Sequence, residues 1–120
     1  MLINLSNHPS VKWLVPQTTE ALRLYSSITD VPFPAIDPEW TKDQVVALAV
    51  DKLKECAELL PDNENNAIHI MGEMTFTFVF VTLAQKNSLS CVAATTNRMV
   101  EINEMGEKLS VFQFVKFREY

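Results

Sequence analysis

The 120-residue sequence predicts an α/β fold: a mostly parallel sheet flanked by helices, with an antiparallel β-hairpin at its C-terminus. Three observations carry that prediction. Ala67-Ile68-His69-Ile70-Met71 is a short apolar strand, Gly72-Glu73-Met74-Thr75 a turn into an apolar helix, and Leu89-Ser90-Cys91-Val92-Ala93-Ala94 a second strand. A strand, helix and strand within about 30 residues is the smallest unit that sets two parallel strands together through a right-handed crossover. The residues before this unit alternate strand and helix in the same way. After Arg98 the pattern changes to two extended runs around Asn103-Glu104-Met105-Gly106, which reads as a hairpin.

In chain order, Leu2-Ile3-Asn4-Leu5 is the first strand, and Ser6-Asn7-His8-Pro9-Ser10 is a polar turn at its end. Thr18 or Thr19 caps a helix running to about Ile28, in which Ala21, Leu22, Leu24, Tyr25 and Ile28 recur at helical spacing. Thr29 to Val31 is a brief strand, followed by an extended connector to Pro38, because prolines remove ladder donors. Thr41-Lys42-Asp43-Gln44 has the form of a capping box. The long helix it opens buries Val45, Val46, Leu48, Ala49, Leu53, Cys56, Ala57 and Leu60, and Pro61 stops it before a polar loop to Asn66. The helix from Thr75 to about Asn87 is apolar nearly all round, through Phe76, Phe78, Val79, Phe80, Val81, Leu83 and Ala84. It therefore lies between the sheet and another helix or faces a second subunit, and the second option is favoured for so small a chain. Strand Leu89 to Ala94 breaks into Thr95-Thr96-Asn97-Arg98. The hairpin then pairs Met99–Ile102 with Leu109–Phe117, whose Phe112 and Phe114, and Val111, Val115 and Phe117, point to opposite faces and suggest burial on both.

This length makes one domain with one core, spanning residues 1–120. No apolar run approaches the roughly 18 residues of a membrane span, and the N-terminus lacks the layout of a signal peptide, so a cytoplasmic protein is expected. Cys56 and Cys91 read as inert core thiols. A net charge of −5 argues against a surface for duplex nucleic acid, while leaving room for a small anionic ligand held by local donors.

Phosphate-loop, dinucleotide-binding and Cys-x-x-Cys motifs are missing, and His8 and His69 alone make a metal site improbable, so neither metal nor cofactor is expected. What remains is polar turns at strand ends: Ser6, Asn7 and His8; Gly72, Glu73 and Thr75; Thr95, Thr96 and Arg98. In parallel sheets ligands bind beyond the carboxyl ends of the strands, so these groups are expected to share one crevice. Gly72 would let a ligand approach the backbone, the helix start at Thr75 offers free amides, and Arg98 can grip a phosphate. Glu73 competes for those amides. Each residue also has a plainer role: Ser6 and Asn7 as turn formers, Thr75 as a cap, Thr95 and Thr96 as strand ends, Arg98 as a surface cation, His69 as a buried histidine.

The opening Leu-Ile-Asn-Leu-Ser-Asn-His, the Gly-acidic-x-Thr-Phe turn from Met71 to Phe76, Thr-Thr-x-Arg at Thr95 to Arg98 and the closing Val-Lys-Phe-Arg-Glu-Tyr resemble small stand-alone CRISPR-associated proteins of the Rossmann-like CARF group. The resemblance implies a homodimer that binds a cyclic oligoadenylate, with cyclic tetra-adenylate the expected ring. It also implies ring-nuclease activity without metal, in which a ribose 2′-hydroxyl attacks its own adjacent phosphate. Carried over, His8 and Arg98 would be catalytic, His8 transferring a proton, a task to which histidine is suited at neutral pH. Ser6, Asn7, Gly72, Thr75, Thr95 and Thr96 would bind the ligand. Met74 or Thr75 stands where that turn would carry a second glycine. Sequestration without cleavage, and an adaptor role with no small ligand, are the alternatives.

Overall fold

The computed structural model describes residues 1–62 and 64–120. Its elements are β1 (Leu2–Ser6), a 3-10 turn (Ser10–Lys12), α1 (Val15–Tyr25), β2 (Ile28–Pro32), α2 (Lys42–Leu59), β3 (Ala67–Met71), α3 (Met74–Lys86), β4 (Cys91–Ile102) and β5 (Lys108–Glu119). The strands form one sheet in the order β2-β1-β3-β4-β5, parallel except for the antiparallel β4–β5 pair. The fold is therefore the α/β arrangement expected from the sequence. The chain leaves β1 in one direction to reach β2 and returns on its other side as β3, so the strand order reverses between β1 and β3. In open α/β sheets that reversal opens a crevice at the strands' carboxyl ends.

Strand alternation divides the interior into two layers. Ile3, Leu5, Ile68, Ile70 and Cys91 point to one face, where they meet Val45, Ala49, Leu53 and Cys56 of α2 and Phe76, Phe80, Val81 and Ala84 of α3. Leu2, Ala67 and Val92 point to the other and pack against Trp13, Ala21 and Phe117. The Thr41 capping box opens α2 as expected, and both cysteines are buried. Burial pushes the Cys56 thiol up to about 12 and the Cys91 thiol up to about 11, so both stay protonated and unreactive at neutral pH.

Four local expectations are corrected. Helix α1 begins at Val15 rather than Thr18 or Thr19, because Pro16 in its first turn needs no N–H partner. It ends at Tyr25, where Ser26 takes a positive φ of 69°, and β2 then starts at Ile28. Strand β4 does not break at Thr95: it runs unbroken to Ile102 because β5 pairs with it along its length, with a bulge opposite Thr95/Thr96. Burial of the hairpin is confined to its base. Among the described residues only Ile68↔Cys91 and His69↔Val92 pair β4 with β3, and β4 and β5 continue beyond the sheet as a two-stranded arm. Phe117 is buried and Phe114 half-buried, whereas Phe112 and Val115 are exposed. Helix α3 buries one face against the sheet and α2, leaving Met74 and Phe78 exposed. The expected loop from Pro61 to Asn66 is described except at Asn63, which lies outside the described residues. Among the described residues no helix is long and apolar enough to cross a membrane.

Candidate functional site

On the α1 side of the sheet, at the carboxyl ends of β1 and β3 and beside the first half of β4, lies an open hollow of about 370 Å³. Its floor is His69 and Met71 of β3 and Ala94 and Thr96 of β4; Ser6, Asn7 and His8 form one rim. Trp13, Leu14 and Gln17 close it from the α1 side, and Phe112 and Phe114 from the hairpin arm. Strand alternation explains the membership: Ser6, His69, Met71, Ala94 and Thr96 all project from the same face of their strands.

A buried polar network holds the floor and rim together. Asn4, in the middle of apolar β1, is 1% exposed, and its register partner on β3 is His69, 3% exposed. Asn4 Nδ2 donates to the His8 carbonyl oxygen (2.9 Å) and to Asp30 Oδ1 (2.7 Å). Both partners are acceptors only, so the amide orientation is fixed and Oδ1 faces inward. There it accepts from the Ser6 hydroxyl (2.8 Å) and lies 2.9 Å from His69 Nδ1. His69 Nδ1 must therefore carry the proton. Nε2 is left as a lone-pair acceptor, buried and without a hydrogen-bond partner among the described residues. Burial, with a smaller contribution from His8, lowers the His69 pKa to about 4, so the ring is neutral at physiological pH.

The His8 carbonyl is the hub of the rim, accepting also from Trp13 Nε1 (3.1 Å). The His8 amide in turn donates to Ser6 Oγ (3.2 Å). An exposed imidazole is thus presented at the mouth by a loop whose backbone is tied to the core. Asp30 anchors the far side of the loop, accepting from the Ser10 amide (3.1 Å) and hydroxyl (2.8 Å). Burial raises the Asp30 pKa, but the bonds from Asn4 and Ser10 together outweigh it and hold the carboxyl below its ordinary value.

Of the residues expected to meet in one crevice, Ser6, Asn7, His8 and Thr96 do so. Gly72 and Thr75 do not line this hollow. The chain turns after β3 toward the α2–α3 face, where Gly72 and Thr75 each border a different surface depression. The Thr75 and Phe76 amides are already taken by the Glu73 carboxylate (3.1 and 2.8 Å), and the Thr75 hydroxyl also bonds to Glu73 at 2.7 Å. Those bonds hold the Glu73 pKa below its ordinary value. Gly72 is required because a Cβ there would run into the Phe33 ring. Thr95 projects from the opposite face to Thr96 and serves the bulge, donating to the Lys116 carbonyl (3.1 Å) and accepting from its amide (3.2 Å). Arg98 shares the hollow's face with Thr96 and sits opposite Phe112, one strand pair farther out, with Nη2 3.0 Å from Ser110 Oγ.

A family model matches residues 1–118. The chain belongs to the Uncharacterized protein MJ1673 family. No curated protein and no solved structure matches it. For this family member the site is thus defined by its geometry, and several of its residues carry no motif: Trp13, Gln17, His69, Phe112 and Phe114. The legible signal was a polar side chain in the middle of each of two apolar strands, Asn4 and His69, which the parallel register sets side by side. What the arrangement offers a ligand is aromatic walls, neutral hydrogen-bonding groups and one exposed imidazole. That inventory suits a base and a ribose better than a bare phosphate.

Proposed function

We propose that the hollow binds one nucleotide unit of a cyclic oligoadenylate and that the protein works as a homodimer whose two hollows engage one ring. The observation that carries the reading is the meeting of Trp13, Phe112 and Phe114 with Ser6, Asn7, His8 and His69 at the β1/β3 reversal point. The resemblance in the opening residues and in the Thr-Thr-x-Arg run supports the ligand class. A volume of about 370 Å³ suits a single nucleotide rather than a tetranucleotide ring, which is why two copies are invoked. The exposed Leu14 and Phe112 beside the mouth give a second copy apolar surface to cover.

In the catalytic form of this reading, a ribose 2′-hydroxyl attacks the adjacent phosphorus, the bond to the 5′-oxygen breaks, and a 2′,3′-cyclic phosphate and a 5′-hydroxyl result. His8 at the mouth would move the proton, and Arg98, after leaving Ser110, would meet the phosphate. A second reading, binding without cleavage, is favoured by one observation. The α3 amides are capped by Glu73, and among the described residues no lysine or arginine lines the hollow to stabilise a phosphorane.

The test is incubation with cyclic tri-, tetra- and hexa-adenylate in chelator, with products separated by chromatography and affinity measured by calorimetry. Linear product that disappears in His8→Ala or Arg98→Ala supports the nuclease. Tight binding with intact ring supports sequestration. Absence of binding to any ring overturns both and leaves an adaptor role.

A further inference from the structure

The sequence treats His69 as a buried histidine with a structural part. Its surroundings carry more than that. In an apolar interior a ring nitrogen that accepts no hydrogen bond costs free energy, about 1–3 kcal/mol for a neutral group. Yet the fold spends three side chains, Asp30, Asn4 and Ser6, on fixing which nitrogen is left over. Asp30 and the His8 carbonyl hold the Asn4 amide one way round, Asn4 Oδ1 holds the proton on Nδ1, and the lone pair of Nε2 has no partner among the described residues. Trp13 and Phe117 stand edge-on to the ring, at centroid distances of 5.4 and 5.7 Å, and keep it from rotating. His69 is also part of the hollow's floor.

We propose that His69 Nε2 is the hydrogen-bond acceptor for a ligand hydroxyl seated in the hollow and that, on the nucleotide reading above, on which this rests, the donor is a ribose 2′-hydroxyl. The group then acts as a specificity residue, selecting ribose over deoxyribose. Three features suit it to that task. The tautomer is set before the ligand arrives, so no proton has to move. The low pKa keeps the lone pair free throughout the neutral range. The nitrogen is shielded from water, so a donor that reaches it meets no competing solvent, and one that lacks the hydroxyl leaves it unsatisfied. Because of that shielding, a donor must displace part of the surrounding wall to reach the nitrogen.

The experiment compares cyclic tetra-adenylate with its fully 2′-deoxy counterpart, by calorimetry, on the wild-type chain and on His69→Phe, which keeps the aromatic packing and removes both nitrogens. Because two hollows engage one ring, wild type is expected to prefer the ribose ring about a hundredfold, roughly tenfold for each of two buried hydrogen bonds. His69→Phe is expected to bind both rings equally. A variant that folds and keeps the ribose preference overturns the proposal while the nucleotide reading stands, as does a wild type that binds both rings alike. Failure of wild type to bind either ring overturns the nucleotide reading and this proposal together, an outcome distinct from lost discrimination. If His69→Phe does not fold, the ¹⁵N imidazole spectrum of wild type decides. The Nε2 resonance moves with the ribose ring and stays with the deoxy ring, or the proposal falls.

Discussion

Protonating His69 should cost this protein a measurable share of its stability well above the range where carboxylates titrate. Burial, and after it the His8 charge, lowers the imidazole pKa to about 4 from 6.5. The unfolded chain therefore binds a proton that the folded chain refuses throughout the interval between those values. Stability contributed by the neutral ring is complete above the unfolded pKa and is lost as pH falls toward the folded one. The full shift corresponds to about 3 kcal/mol, and integrating it from about pH 7.5 to about pH 5 gives a loss of about 2 kcal/mol. For a domain of this size that is a fall of roughly 8 °C in melting temperature. The carboxylates held low, Glu20, Asp30 and Glu73, contribute to the slope mainly toward the acid end of this interval and below it, and the raised thiols and tyrosines only above it. The assay is urea unfolding followed by circular dichroism at the two pH values, on wild type and on His69→Phe. The variant should lose most of the pH dependence. Equal stability of wild type at both values would refute the burial argument, and so would an unchanged slope in a folded His69→Phe.

Gly72→Ala is expected to destabilise by about 1–3 kcal/mol, since the new methyl must push the Phe33 ring off its contact with Phe76. A second substitution, Phe33→Leu, should recover part of that loss in thermal melts, and no interaction between the two would remove the steric explanation. Asp30→Ala takes one acceptor from the buried Asn4 amide and two bonds from Ser10, at an expected cost of about 1–3 kcal/mol in urea unfolding. A neutral result would mean that the loop does not depend on this anchor. Cys56 and Cys91 should be silent to a thiol reagent in the native protein at neutral pH and react only as the protein unfolds. Rapid native labelling would place one of them outside the core.

The sheet's composition was legible because its strands are apolar and its crossovers are of standard length; β3 runs over the very residues expected, Ala67–Met71. Helix α1 starts ahead of its two cap-forming threonines because the operative signal is Pro16, whose missing N–H suits a first turn. The break expected at Thr95 reflects a general weakness of local reading. Thr-Thr-Asn-Arg has turn-forming members, but a partner strand arriving from residues 108–119 supplies ladder bonds that outweigh their preference. Half of the expected site went astray for a related reason. Turns that follow neighbouring parallel strands share an edge of the sheet, but which face they serve depends on where the next helix packs. The loop after β1 stays on the α1 face, and the turn after β3 leaves for the α2–α3 face. His69 and Asn4 were individually visible, and only the register made them a pair.

The arm that β4 and β5 form beyond the sheet has a mechanical consequence for the hollow. Trp13 and His69 belong to the rigid interior, whereas Phe112 stands on a ribbon held at one end, and bending a two-stranded ribbon disturbs almost none of the packed core. The hollow is thus bounded by one jaw set in the core and one carried on a ribbon held at one end, and flexure of that ribbon changes the width of the mouth without repacking the polar floor.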